Sequence, residues 1–375
     1  MDKYKVNAVY LNDAFNPKRN NFTVMRFVLA ALVVFSHSYT LGGFGSEGLF
    51  GNSQETYGGL AVTSFFILSG FLINRSYINS SSVWRFLWNR ILRIFPGFWT
   101  CLIVTVFIFA PIIYLSENGN LNGYFHASVE NPLNYIKANF FLEIGQYGIA
   151  NLLVNNIPYP RAFNGSLWTL IYEFRCYLMV AILGFLGVFT FYKKIVFYIF
   201  IFLWLTYNLN LVIPGTASKV LPYFSDIYIL KLSIYFFVGC IFFLYREKIV
   251  LNKQLFIFSI ILIMMGLNHG FYNLVAPLAL PYILFWLAFK TPFINFDRYG
   301  DFSYGLYIYA FPVQQMLAFF GVHKNGFILY LSLSMLVTMI LAVLSYMFIE
   351  KPCLQMKNLT FKDVSFLTKK YFKKN

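Results

Sequence analysis

Two ionisable side chains interrupt a run that otherwise reads as membrane-spanning: Arg26 and His37, in TVMRFVLAALVVFSHSYT from Thr23 to Thr40. A histidine tuned near neutrality can take the proton of an attacking hydroxyl, or it can carry the transferred group itself. A guanidinium suits a phosphate or a thioester end, although near a span edge it can also serve as a snorkelling anchor. Eleven residues of helix turn about three times plus roughly 20° and rise about 16 Å, so the two share one face. Ionisable groups near the bilayer centre cost roughly 2.5–3.5 kcal/mol each. That face is therefore expected to line a polar chamber.

Further candidates cluster elsewhere. Between Arg75 and Arg93 the basic residues are all arginine (Arg75, Arg85, Arg90, Arg93), whereas those after residue 350 are all lysine. Planar guanidinium forks bind phosphates bidentately, but a basic loop against anionic lipid is the plainer alternative. In SLWTLIYEFRCYL, Glu173 can orient His37, hydrogen-bond a sugar hydroxyl, or neutralise a nearby cation such as Arg175. Trp168 and Tyr172 can stack on a sugar face or belong to an interfacial aromatic belt. Ser69, in ILSGF, lacks a GxSxG elbow and reads as a helix-contact residue. His126, His269 and His323 have no metal-ligand spacing, and no metal site is expected.

The elements that hold these residues are membrane helices. Of 375 residues, 59% are hydrophobic and 11% charged, which excludes a soluble domain. Apolar runs near twenty residues recur and strand-like alternation does not, so an all-α polytopic bundle is expected. Ten spans read at about 22–41, 59–76, 97–115, 166–189, 195–213, 225–245, 255–271, 274–289, 303–322 and 327–349. Ser64, Ser69 and Gly70 are expected at a close helix contact. VWRFLWNRILRIFPGFW reads as a separate amphipathic helix at the interface, ended or kinked by Pro96. Residues 116–165 form one long external segment. Met1 to Asn21 is polar, so no cleaved signal peptide is expected.

The net charge of +15 does not point to nucleic acid, because it is distributed by side. Twenty-two of the 29 Lys and Arg residues fall on one side of these spans and only Lys137, Arg161, Lys219 and Lys324 on the other. The positive-inside rule then places both termini in the cytoplasm. One domain is expected over residues 1–355, with a basic tail at 356–375. Cys101, Cys176, Cys240 and Cys353 form no CxxC pair, and neither a disulfide framework nor a zinc site is expected.

Taken together, Arg26 with His37, GLAVTSFFILSGFLI, WNRILRIFPGFW, NGSLWTLIYEFRCYL, YGDFSYGLYIYAFPVQQ and IEKP resemble the acyltransferase 3 family, membrane proteins that acylate sugars. The likeness covers roughly residues 20–355. It implies an O-acyltransferase of the bacterial inner membrane that moves an acetyl or other acyl group from cytoplasmic acyl-CoA to a polysaccharide or lipid-linked glycan. It implies that the arginine-rich stretch meets CoA and that the segment around Asp301, Ser303, Tyr304 and Tyr307 lies beside the chamber. Many members carry two adjacent acids after SLW; Phe174 replaces the second here. A transporter of a lipid-linked sugar is the rival reading, which an inverted repeat would favour, and none is visible. Oligomeric state is left open. Reporter fusions test the topology: a reporter after residue 355 and one after Lys193 are expected cytoplasmic, and one at Lys137 external; the opposite pattern contradicts the charge argument.

Overall fold

A computed structural model of the chain describes residues 9–16, 20–49, 54–155, 157–293 and 296–358. The tail beyond Asn358, and the basic residues Lys18 and Arg19, lie outside the described residues. Among the described residues there is no strand, only two isolated bridges, Tyr10 to Val250 and Gly48 to Thr56. Helices dominate because hydrocarbon offers backbone groups no partner, so each span must satisfy its own. The long helices are α1 Phe22–Gly42, α2 Tyr57–Ile78, α3 Val83–Asn118, α4 Ser166–Phe185 and α5 Lys194–Val212. They continue with α6 Ile227–Leu244, α7 Lys253–His269, α8 Tyr272–Lys290, α9 Ser303–Phe319 and α10 Phe327–Gln355. Eight are long and apolar enough to cross a membrane, while α7 and α9 have 17 residues each. The chain is a multi-pass helical membrane protein.

The α2 helix is the hub, packing on α1, α3, α4, α6 and α8. Its tightest contact is with α6. A Cβ on Gly70 would stand 1.9 Å from the Phe236 carbonyl oxygen, and one on Gly239 would stand 2.0 Å from that of Ile67. Only glycine permits this approach, as small residues do at membrane helix crossings. Ser64 is buried and donates to its own helix at Leu60 O, 2.7 Å, whereas Ser69 lies along a cavity. Of the three residues expected at a close crossing, Gly70 is the one whose backbone is approached.

The basic stretch from Val83 is not a separate interfacial helix. It runs through Pro96 into the third span as one helix of 36 residues, about 54 Å long at 1.5 Å per residue. Proline removes one N–H, a loss that neighbours in a bundle can make good. Close to Pro96, α9 packs directly on this helix: the Tyr304 hydroxyl donates to Ile94 O at 2.7 Å, and its ring fills the space beside Gly97. The helix therefore carries Arg90 and Arg93 into the bundle.

Outside the spans, residues 116–165 dock on α3 and α9. Trp99 Nε1 donates to Phe140 O at 2.9 Å, Asn164 Nδ2 to Ile308 O at 2.8 Å, and Gln315 Nε2 to Ala162 O at 2.7 Å. Glu130, Leu142, Ala150, Asn151, Leu153 and Arg161 have φ between 51° and 71° in this segment, which packing must over-determine. On the other side, Leu11–Ala14 is stapled to the turn after α6, Leu11 N donating to Ile249 O at 2.8 Å. Replacing Gly70 or Gly239 by valine should separate α2 from α6 and cost roughly 1–3 kcal/mol or more by overpacking. A clear fall in the thermal unfolding midpoint of detergent-purified protein is the expected result, and an unchanged midpoint contradicts the contact.

Candidate active site

Arg26 and His37 line two different cavities, called inner and outer after the side each is expected to face, whose linings share Val62 and Tyr307. The inner cavity, about 120 Å³, takes Arg26 from α1, Arg90 and Arg93 from α3, Ser69 from α2, Glu173 and Tyr177 from α4, and Tyr304 from α9. The outer chamber, about 320 Å³, takes His37 from α1, Glu47 and Glu55 from the loop after it, Ser166 and Trp168 from the start of α4, and Tyr228 and Lys231 from α6. Between the two cavities the Tyr307 hydroxyl donates to Ser166 O at 2.9 Å and pairs with Thr169 Oγ1 at 2.6 Å.

The inner cavity is organised by Asp301, just before α9. Its Oδ2 accepts from Arg26 Nη1 at 2.5 Å and from Arg93 Nη2 at 2.6 Å, and its Oδ1 accepts from the Ser303 hydroxyl. Arg93 also faces Glu350 at 3.7 Å, and Glu350 accepts from Ser345 at 3.1 Å. Burial would raise the Asp301 pKa, but the two guanidiniums and Ser303 overcome it and hold the group at about 2. One carboxylate thus ties the inner ends of α1 and α3 to α9.

The four arginines of the basic stretch separate. Arg90 and Arg93 line the inner cavity, and Arg75 and Arg85 do not. Arg75 lies 5.2 Å over the Phe15 ring. Arg90 makes no ion pair among the described residues; it reaches Ser76 Oγ at 3.4 Å and stands over the rings of Tyr177 and Phe86, 5.9 Å from each. Arg93, by contrast, is held by Asp301.

Glu173 lies in the inner cavity, where it accepts hydrogen bonds from Ser69 at 3.3 Å and from the Tyr177 hydroxyl. Arg175 is not its partner, being placed 5.5 Å over Tyr172 and 5.7 Å over Tyr223. The carboxylate beside His37 is Glu47. Four links fix it: Ser36, the residue before His37, donates to it; Gly58 N donates to Ser36 at 2.7 Å; Tyr57 N donates to Glu47 O at 3.2 Å; and Leu49 N donates to Glu55 O at 2.8 Å. His37 packs edge-on against Phe311 at 5.6 Å, and its buried Nδ1 has no hydrogen-bond partner among the described residues. Trp168 faces the chamber with Tyr228 edge-on at 4.7 Å. Tyr172 stands behind it, its hydroxyl donating to Asp226 at 2.6 Å.

Glu47, Glu55 and Lys231 are lining residues that the sequence analysis did not name as site residues, and Asp301, expected beside the chamber, was given no role there. Three lie in loops between spans, where helical spacing says nothing. The only signal was position: Asp301 heads the YGDFSYG motif, and Glu47 follows His37 by ten residues.

Comparison with known proteins gives the family. The acyltransferase-domain model of the acyltransferase 3 family matches residues 19–347. An O-acetyl transferase of Shigella phage Sf6 is 30% identical over 341 residues, 89% of this chain and 96% of the relative. Nodulation protein 10 of Rhizobium leguminosarum bv. viciae is 29% identical over 180 residues, 46% of each chain. No solved structure matches significantly.

Asp301→Asn keeps the shape and removes the shared anion, leaving Arg26 without an ion pair among the described residues and Arg93 with Glu350 at 3.7 Å. A loss of about 2–3 kcal/mol is expected, since a broken, largely buried pair costs several kcal/mol. Because the folded-state pKa is depressed, the wild-type contribution should be full above the unfolded value near 4 and disappear as pH falls toward 2. Unfolding midpoints of the two proteins that coincide at pH 7 contradict this role. A family match across both cavities, together with a phage relative aligned over nearly its full length, shows that the chain belongs to the acyltransferase 3 family and is an acyltransferase.

Proposed function

We propose that the protein moves an acetyl group from acetyl-CoA, entering from the cytoplasm, to a hydroxyl of a polysaccharide or lipid-linked glycan at the outer face of the bacterial inner membrane. The observation that carries this reading is the adjacency of an arginine-lined cavity and a histidine-lined chamber, which share Val62 and Tyr307 in their linings. A thioester fed from within can meet a hydroxyl presented from without, and the CoA itself need not cross.

Arg90, free of ion pairs among the described residues, is the guanidinium available to the phosphates of CoA. Arg26 and Arg93, fixed by Asp301, hold the cavity open and offer their remaining N–H groups to the donor. The flexible pantetheine arm reaches past Ser69 and Glu173 toward Val62 and Tyr307. His37 takes the proton as the acceptor oxygen bonds to the acyl carbon. The carbon–sulfur bond breaks, and the CoA thiolate leaves and recovers a proton. Glu47 offsets the imidazolium that forms, as a carboxylate orienting a catalytic histidine does. Capture of the acyl group on His37 itself is the variant of this chemistry that the same geometry serves. The phage relative's name, O-acetyl transferase, supports acetyl as the group moved. The charge bias supports cytoplasmic termini on a ten-span frame.

His37→Ala should lower glycan-dependent CoA release by roughly 10²–10⁴-fold with binding of acetyl-CoA retained, the usual worth of a general base. Release that is unchanged in the variant removes His37 from the reaction. Wild-type protein that moves glycan but leaves acetyl-CoA intact favours the transporter.

A further inference from the structure

The outer chamber contains one ammonium, Lys231, and that ammonium is already committed. Its Nζ stands 2.8 Å from Glu55 Oε2, the carboxylate being 4% exposed. Glu55 also accepts from Thr56 N at 3.1 Å, so the pair is anchored in the loop before α2 as well as on α6. The chamber's other carboxylate, Glu47, faces His37 and matches the positive charge that forms there on proton transfer. No arginine lines the chamber among the described residues, and the undescribed stretch Phe50 to Ser53 carries no charged residue. With His37 neutral, two carboxylates against one ammonium leave the chamber one charge negative.

We infer that the outer chamber is an acceptor subsite for an uncharged glycosyl unit and excludes uronate, sialate or phosphate groups at the acylated position. This rests on the acyl-transfer reading and names its acceptor class. A sugar carboxylate brought into the chamber would meet Glu47 and Glu55 with no spare cation, and the repulsion of like charges would oppose its binding. Sugar hydroxyls fit the same groups. They donate to carboxylate oxygens and accept from the Lys231 ammonium, while the Trp168 ring at the rim offers an apolar face to the sugar's C–H side. Glu55 and Lys231 are thus specificity residues rather than a mere brace between a loop and α6.

The test uses purified full-length protein, labelled acetyl-CoA, and the host's surface glycan cut to short oligosaccharides and split by anion exchange into neutral and anionic pools. At equal acceptor concentration the neutral pool should be labelled at least ten-fold faster. Glu55→Gln frees Lys231 and should narrow that preference five-fold or more by raising kcat/KM for the anionic pool. Lys231→Met should not improve use of the anionic pool. Where Glu55→Gln lowers the yield of folded protein, the wild-type preference alone decides. Faster labelling of the anionic pool overturns this inference and leaves acyl transfer standing. If neither pool is labelled and acetyl-CoA survives, the acyl-transfer reading beneath it fails as well.

Discussion

A charged or ionisable group in hydrocarbon must find polar company, and in this protein that constraint shapes the bundle around its first helix. Arg26 and His37 cannot face lipid without a cost that would oppose insertion. Helices α2, α3, α4 and α9 close around α1's polar stripe and give it two enclosed spaces instead. The remainder of the fold serves that enclosure. The glycine contact between α2 and α6 brings Lys231 to the outer chamber, and the proline-bearing α3 brings Arg90 and Arg93 to the inner cavity.

The two spaces are balanced differently. Around the inner one, three arginines stand against Asp301, Glu350 and Glu173, and Asp301 fixes two of them while Arg90 makes no ion pair among the described residues. In the outer one, Glu55 pairs with Lys231, and Glu47 and His37 line the same space. The proposed recognition of an anion in one and of hydroxyls in the other rests on this difference. Val62 and Tyr307 line both, and Tyr307 is held in place by Ser166 and Thr169.

Hydropathy and charge made much of this legible. Apart from α3, which begins fourteen residues before its expected span, the long helices lie close to the apolar runs, because burial in lipid leaves a strong, local signature. The common face of Arg26 and His37 followed from helical spacing alone. Pro96 was expected to end or kink its helix; the helix runs on through it, and the α9 tyrosine that packs beside it is two hundred residues away in sequence. Glu173 was read as able to orient His37, bond a sugar hydroxyl or neutralise a cation; it lines the inner cavity instead of the chamber that holds His37, and accepts from Ser69 and Tyr177. Glu47 and Asp301 were invisible to spacing arguments because loops have no period. Only the folded chain shows that the loop after α1 doubles back onto Ser36.

In the proposed reaction donor and acceptor reach one another from opposite sides of the membrane. Proteoliposomes in which the protein has one known orientation decide this, with labelled acetyl-CoA confined to the cytoplasmic side and glycan acceptor to the other. Label appearing on the acceptor across the intact bilayer, with free CoA found only on the donor side, is the predicted result. Transfer that occurs only when both substrates share one compartment would contradict it.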